Sequence, residues 1–216
     1  MALLWIALFG QEPGAQKGPI LLELFTSQGC SSCPSADRFL AQVQQANPSE
    51  VVLLSFHVDY WNYLGWPDPY AQKAFSERQK HYTITLSSQA YTPQVVIDGA
   101  MEGVGSDRTF VEMALEKARK HPPARLAIQS DGQHSGRFKL TRHSDQHAWA
   151  ALLYRERENA VPRGENRGKT LTHRNVVAWL KPVYSSEVEI PKDLDWQAGD
   201  LLVVWESREA YGPVTA

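Results

Sequence analysis

Two cysteines three residues apart are the residues of this chain best suited to chemistry. Cys30 and Cys33 are its only cysteines, and they stand between an apolar run at 19–25 and a segment with helical spacing at 35–48. Unpaired N–H groups and the dipole at a helix start favour a thiolate. We therefore expect Cys30 to be the accessible, nucleophilic thiol with a lowered pKa. Cys33, one turn on, is placed to attack the mixed disulfide and release the product.

The same pair is compatible with other chemistry. A structural disulfide closing so short a loop would add little stability. A zinc site needs four ligands, and the chain has no second cysteine pair, although His57 and His81 could contribute. Copper(I) would accept two thiolates. A copper- or zinc-binding or delivery protein using Cys30, Cys33 and His57 is therefore the alternative interpretation. A third is an interaction module in which the dithiol is vestigial.

The elements that must position the cysteines alternate between strands and helices. The apolar runs at 19–25 and 51–58 are typical of strands buried on both faces, and the helix between them makes a right-handed crossover unit. Asp98-Gly99 between two apolar runs predicts a hairpin. The predicted elements, in order, are strand 19–25, helix 35–48, strand 51–58, helix 70–82, strands 94–97 and 100–104, and a helix from Ser106 or Asp107 to Lys120.

The pattern changes at 122–124, where a proline pair ends the last predicted helix. Short apolar alternations separated by turns follow, which favour a small antiparallel β domain. We predict an α/β protein with three parts: a leader or tail at 1–18, a mixed-sheet domain with flanking helices at 19–122, and a β-rich domain at 123–216.

The order of strand, Cys-x-x-Cys, helix, strand, helix and a proline heading a hairpin resembles the thioredoxin fold. That resemblance implies a cis-proline facing the disulfide, and Thr92-Pro93 stands at the matching place. Proline makes a cis bond accessible, and the backbone of Thr92 would then pair with an extended substrate. The chain departs from ordinary thioredoxin by having Gly29, not tryptophan, before the first cysteine, and two serines between the cysteines.

The resemblance extends over most of the chain. Four segments together resemble an uncharacterised bacterial family of secreted thioredoxin-like proteins, catalogued as a domain of unknown function. That resemblance implies the fold and export but brings no established substrate. The segments are LELFTSQGCSSCP, SFHVDYWNYLGW, YTPQVVIDG and LTHRNVV.

Three charged or titratable residues are candidates to support the thiols. Glu23 lies inside the first apolar strand, and a buried carboxyl near Cys33 would accept the proton of that thiol. Glu23 would otherwise point out of the sheet into solvent or an ion pair. His57 and Asp59 end the second strand, at the edge where parallel strands place ligand sites. His57 would tune the thiols, or be hydrogen-bonded in the core.

An aromatic segment at 59–70 follows the second strand. Trp61 and Trp66, with Tyr60 and Tyr63, would wall a groove for peptide substrates, since these side chains combine apolar area with a polar group. They would equally serve as a packed loop that covers the sheet.

The polar cluster Thr172-His173-Arg174-Asn175 precedes an apolar strand. Asparagine and threonine form turns through their own side chains. We therefore interpret this cluster as turn or interdomain structure.

Composition excludes several classes of protein. The net charge of −2 removes the electrostatic case for a nucleic-acid binder. No apolar run reaches the roughly 18 residues that cross a bilayer, so no membrane span is expected in the mature protein. The apolar run at 2–9, followed by glycine, proline and alanine, is typical of a secretory signal, although no basic residue precedes it.

Together these features predict a thiol–disulfide oxidoreductase of the periplasm or the secreted fraction. Its partners would be protein or peptide thiols and disulfides and an unidentified redox protein. No dissociable cofactor and no metal are expected, because the dithiol is itself the redox group.

Overall fold

A computed structural model describes residues 17–123, 127–130, 136–141, 147–194, 200–207, 209 and 211–215, with only the backbone at 127–130. Most of the predicted leader at 1–18 therefore lies outside the described residues. None of the helices in the described part is long and apolar enough to cross a membrane.

Ten strands and three α-helices are described. The strands are β1 Ile20–Thr26, β2 Val51–His57, β3 Gln94–Ile97, β4 Met101–Val104, β5 Ala127–Ser130, β6 Arg137–Thr141, β7 His147–Ala160, β8 Thr170–Val183, β9 Glu187–Glu189 and β10 Leu201–Ser207. The helices are α1 Cys33–Ala46, α2 Lys73–Thr85 and α3 Arg108–Lys120, and a 3₁₀ turn occupies Asn62–Leu64.

A seven-stranded mixed sheet carries the site. Its strand order is β10-β7-β8-β2-β1-β3-β4. Strand β1 is parallel to β2 and antiparallel to β3. Strand β8 joins the far side of β2 in parallel through Ser55 and Val176. Strand β1 therefore lies inside the sheet, between β2 and β3, and its carboxyl end leads to the two cysteines.

Alternate residues of β1 face different helices, because successive side chains in a strand point to opposite faces. Leu22 and Leu24 belong to the apolar cluster that α1 and α3 cover. Leu21 and Phe25 belong to the cluster that α2 covers on the other face. Every residue of β1 is buried, which explains why the strand reads as a nearly continuous apolar run.

The predicted α/β class is confirmed, and so are the predicted helix cap and hairpin turn. The Asp107 carboxylate accepts a hydrogen bond from the N–H of Phe110 at 3.1 Å and caps α3. Asp98 and Gly99 form the predicted hairpin turn, with positive φ angles of 48° and 62°.

The strands after α3 are arranged in two groups. Strands β5, β6 and β9 form a separate three-stranded sheet, whereas β7, β8 and β10 extend the seven-stranded sheet. The antiparallel pattern predicted beyond 122–124 is present, but half of those strands complete the sheet of the preceding part. They do so because one face of β7 and β8 packs with α2 residues in a shared apolar cluster. The domain boundary itself stays a prediction.

Candidate active site

Cys30 and Cys33 form a disulfide at the start of α1, with 5.4 Å between their Cα atoms. Cys33 is the first residue of the helix, and Pro34 follows where its missing N–H leaves no intrahelical bond unmade. The intervening Ser31 and Ser32 are exposed, whereas only 1% of Cys30 and none of Cys33 is exposed. The predicted position at a helix start is confirmed. The predicted accessibility of Cys30 is wrong, because neighbouring segments cover it.

One covering segment carries Thr92 and Pro93. The Cys30 Sγ lies 3.8 Å from the carbonyl oxygen of Thr92. The Thr92–Pro93 peptide bond is cis, as the resemblance implied, and Pro93 is buried. The Trp61 indole N–H donates to the Thr92 hydroxyl at 2.8 Å. Thr92, Pro93 and Trp61 therefore lie beside the disulfide, as a substrate contact would require.

Trp61 also occupies the space beside Gly29. A Cβ built on Gly29 would lie 2.9 Å from the Cβ of Trp61, closer than side chains tolerate. Trp61 therefore leaves room only for glycine at position 29. Trp66 lies further back, where its indole N–H donates to Gln28 Oε1 at 2.9 Å.

The second covering segment is the loop that joins β7 to β8 at residues 161–169, called here the β7–β8 loop. The buried Asn166 donates through Nδ2 to the carbonyl oxygens of Cys30, at 2.8 Å, and Gln28, at 3.0 Å. Gly164 lies against Gly29 and has a φ of 80°, which favours glycine. The loop is thus fixed to the segment that leads into the disulfide.

A buried ion pair supports the same segment from behind. His57 Nδ1 lies 2.7 Å from Asp68 Oδ2, which also accepts the N–H of Gln28 at 2.8 Å. Burial lowers the pKa of His57, but the carboxylates of Asp68 and Asp37 outweigh it and the pKa lies above its ordinary value. Burial raises the pKa of Asp68, but His57 and two backbone N–H groups hold it below its ordinary value. Each member of the pair therefore favours the charged form of the other.

A second pair joins this cluster from the C-terminal half. His173 Nδ1 lies 3.6 Å from Asp37 Oδ2, and both side chains are buried. His173 Nε2 is 3.3 Å from Gln28 Nε2, while the Thr26 hydroxyl donates to Asp37 at 3.3 Å. Asp37 comes four residues after Cys33, so the two share one face of α1. The segment interpreted from sequence as turn or interdomain structure thus contributes to the surroundings of the disulfide.

Glu23 is buried, as its interpretation as a proton acceptor for Cys33 required. It lies in an ion pair, however, as the alternative interpretation required. Its carboxylate accepts from Arg78 Nε at 2.6 Å and Nη2 at 2.8 Å, and from the Tyr82 hydroxyl at 2.6 Å. These partners belong to α2, on the face of the sheet opposite α1. This position gives no support to Glu23 as the group that takes the proton of Cys33.

Asp59 is also directed away from the cysteines. It accepts from the Ser76 hydroxyl near the start of α2 and tethers the aromatic segment to that helix. Of the two tuning candidates, only His57 reaches the loop before Cys30, and it does so through Asp68.

Sequence reasoning missed four polar residues around the disulfide. Asp37 carried a signal, because an acidic residue on the apolar face of α1 is buried. The other three are Asp68, Glu165 and Asn166, which contact distant parts of the chain. No local spacing in the sequence indicates these contacts. Among the described residues, no group of three or more histidine, cysteine or acidic side chains is arranged to hold a metal ion.

Comparison with known proteins gives two similar solved structures. A protein from Agrobacterium tumefaciens, AGR_C_4864, a Northeast Structural Genomics Consortium target, is 28% identical over 89% of this chain and 80% of that one, with a TM-score of 0.64. HBP35 of Porphyromonas gingivalis is 13% identical over 91% of this chain and 66% of that one, with a TM-score of 0.50, a likeness of fold alone. No curated protein matches the chain. Residues 21–205 match one family model, so the chain belongs to the family described as Protein of unknown function (DUF1223), in agreement with the uncharacterised family that its segments resemble.

Proposed function

We propose that this protein is a thiol–disulfide oxidoreductase of the thioredoxin-like type that acts on protein or peptide thiols outside the cytoplasm. One observation carries the proposal. The Cys30–Cys33 disulfide lies at the start of α1, with the Thr92 carbonyl oxygen 3.8 Å from Cys30 Sγ. A helix start stabilises a thiolate, and a backbone carbonyl at this distance is placed to guide an extended chain past the sulfur.

The exchange runs in two balanced steps. In the reducing direction, the Cys30 thiolate attacks one sulfur of a substrate disulfide, whose S–S bond breaks, and the departing thiolate takes up a proton. The Cys33 thiol then loses its proton and attacks Cys30, which releases the second substrate thiolate. Two electrons pass to the substrate, and the protein is left with the Cys30–Cys33 disulfide. An external dithiol then reduces this disulfide and restores the two thiols. The oxidising direction is the reverse.

Two features support the compartment and the substrate class. The apolar run at 2–9 is typical of export. Trp61 and the exposed Tyr60 and Tyr63 lie on the segment beside Thr92. Aromatic side chains there suit an unfolded or peptide substrate better than a small thiol.

Insulin reduction by dithiothreitol tests the proposal with three proteins. We expect wild-type protein to accelerate the reaction and Cys30→Ser to abolish the acceleration. Cys33→Ser, reduced beforehand and mixed with insulin after the dithiothreitol is removed, should instead accumulate a mixed disulfide that a mass spectrum identifies at Cys30. Wild-type protein that is no faster than Cys30→Ser, in both the reducing and the oxidising direction, would overturn the proposal.

A further inference from the structure

The β7–β8 loop places a carboxylate between the two cysteines. Glu165 Oε2 accepts the backbone N–H of Ser31 at 2.9 Å. Hydrogen bonding to Ser31 lowers the pKa of Glu165, so the carboxylate is ionised at neutral pH. The side chain is exposed, and nothing in the interior requires a charge at this position.

This contact opposes the effect that activates Cys30. The unpaired N–H groups of a helix start stabilise a thiolate there. Ser31 directly precedes the N-cap Ser32, so its N–H lies next to these donors in the chain, and Glu165 occupies it. It also adds a full negative charge one residue from Cys30, which disfavours a second negative charge on the sulfur.

Resting on the proposed function, we propose that Glu165 is a positioning residue that restrains Cys30, because it occupies the Ser31 N–H and repels the thiolate. A smaller fraction of Cys30 is then thiolate in the reduced protein, and the disulfide form is a weaker oxidant, than the helix start alone would make them. Substrates that displace Glu165 from Ser31 would release the restraint at the moment of attack.

The position of Glu165 is built rather than incidental. Asn166, next in the chain, is fully buried and bound to the carbonyl oxygens of Cys30 and Gln28. Lys169 Nζ donates to Asn166 Oδ1 at 2.9 Å, and backbone bonds across the loop join Val161 to Lys169. These contacts hold the carboxylate at one place over the start of α1.

The other charges around this position do not cancel it. Lys169 is bound to Asn166, and the Arg163 side chain lies beside Gly65. Asp68 and His57, behind the loop that leads to Cys30, form a closed pair. None of these contacts places a cation on the Glu165 carboxylate.

The proposal is tested by measuring how Cys30 ionises in the reduced protein. Two readouts are followed against pH: the thiolate absorbance near 240 nm and the rate of alkylation by iodoacetamide. Glu165→Gln removes the charge but keeps an oxygen for the Ser31 N–H, whereas Glu165→Ala removes both. We expect alkylation below neutral pH to rise about two- to fivefold in Glu165→Gln, from the usual size of one charge at a helix start. The alkylation rate of Glu165→Ala below neutral pH should rise further.

The matched control is Glu158→Gln, the same change on the exposed part of β7. It should leave the alkylation profile unchanged. High salt should narrow the difference between wild type and Glu165→Gln, since exposed charges are screened. An alkylation profile of Glu165→Gln that superimposes on wild type would overturn the inference. This readout needs no turnover, so it is separable from a failure of the insulin assay.

Discussion

The imidazole rings of His57 and His173 lie edge to face, with 4.6 Å between their centroids. One ring ends β2 and the other lies on β8, and these strands are neighbours in the sheet although they come from the two halves of the chain. Each histidine has its own carboxylate, Asp68 or Asp37. The two halves therefore share one buried polar cluster behind the disulfide, and its charges are coupled.

The charge state of His57 and Asp68 predicts a window of pH in which their pairing stabilises the fold. The pKa of His57 is raised, so its contribution is full below its unfolded value of 6.5 and is lost as pH rises through the folded value. The pKa of Asp68 is lowered, so its contribution is full above 3.8 and is lost as pH falls through the folded value. Both contributions are therefore present together between the two unfolded pKa values, 3.8 for Asp68 and 6.5 for His57.

Asp68→Asn should therefore destabilise the protein most between these two limits. Breaking a buried pair costs about 3–5 kcal/mol, while the asparagine oxygen can still accept the N–H of Gln28. Urea unfolding of wild type and Asp68→Asn at pH 5.5 and at pH 9 measures the loss. A loss of equal size at both values would contradict the assignment of a charged pair.

Local signals in the sequence account for much of the site. The cysteine spacing after a buried strand, the Asp107 cap and the Asp98-Gly99 turn all depend on neighbours within a few residues, and each is present. The position of Pro93 followed from resemblance together with the properties of proline.

The remainder depends on pairing across long stretches of chain. Asn166 reaches Cys30 from 136 residues away, and β8 joins β2 across 121 residues, from Ser55 to Val176. Periodicity within a window cannot reveal which edge a later strand will join. Glu23 illustrates a different limit. The sequence predicted that its side chain is buried, but the face of the sheet to which it points depends on the register of β1.

Glu23 and Arg78 should contribute to stability and not to thiol chemistry. The Arg78 guanidinium lies within 5.6 Å of five aromatic ring centroids and has Glu23 as its carboxylate partner. Glu23→Leu or Arg78→Met alone leaves a buried charge without its partner and should cost about 3–5 kcal/mol. The double variant Glu23→Leu/Arg78→Met should cost less than the sum of the two single variants, as urea unfolding would measure.

The thiols provide the control for that prediction. Glu23→Gln should leave the pH profile of alkylation unchanged, because Glu23 lies on the face away from α1. A shifted profile in folded Glu23→Gln would restore Glu23 as a proton acceptor for Cys33.

Gly29 and Trp61 should be energetically coupled. A Cβ at 29 meets the Cβ of Trp61 at 2.9 Å, and neither atom is at the end of a flexible chain. Gly29→Ala should therefore cost about 1–3 kcal/mol, the usual range for overpacking. In a Trp61→Gly background the same change should cost much less. A double-mutant cycle by urea unfolding measures the coupling, and additive losses would show that the two residues do not exclude each other.

Asp98 should make the protein less stable as pH rises. Burial raises the pKa of Asp98 to about 6, against the hydrogen bond from the Leu21 N–H, and the Glu23 carboxylate adds to the rise. The unfolded chain therefore loses this proton near pH 3.8 and the folded chain only near 6, so stability falls between those values. Asp98→Asn keeps an oxygen for the Leu21 N–H and tolerates the positive φ. It should stabilise the protein at pH 7.5 by about 2–3 kcal/mol, from the size of the pKa shift. The gain should shrink at pH 4, and the exposed Asp193→Asn should show neither effect. A gain independent of pH would mean that the Asp98 carboxyl is not the titrating group.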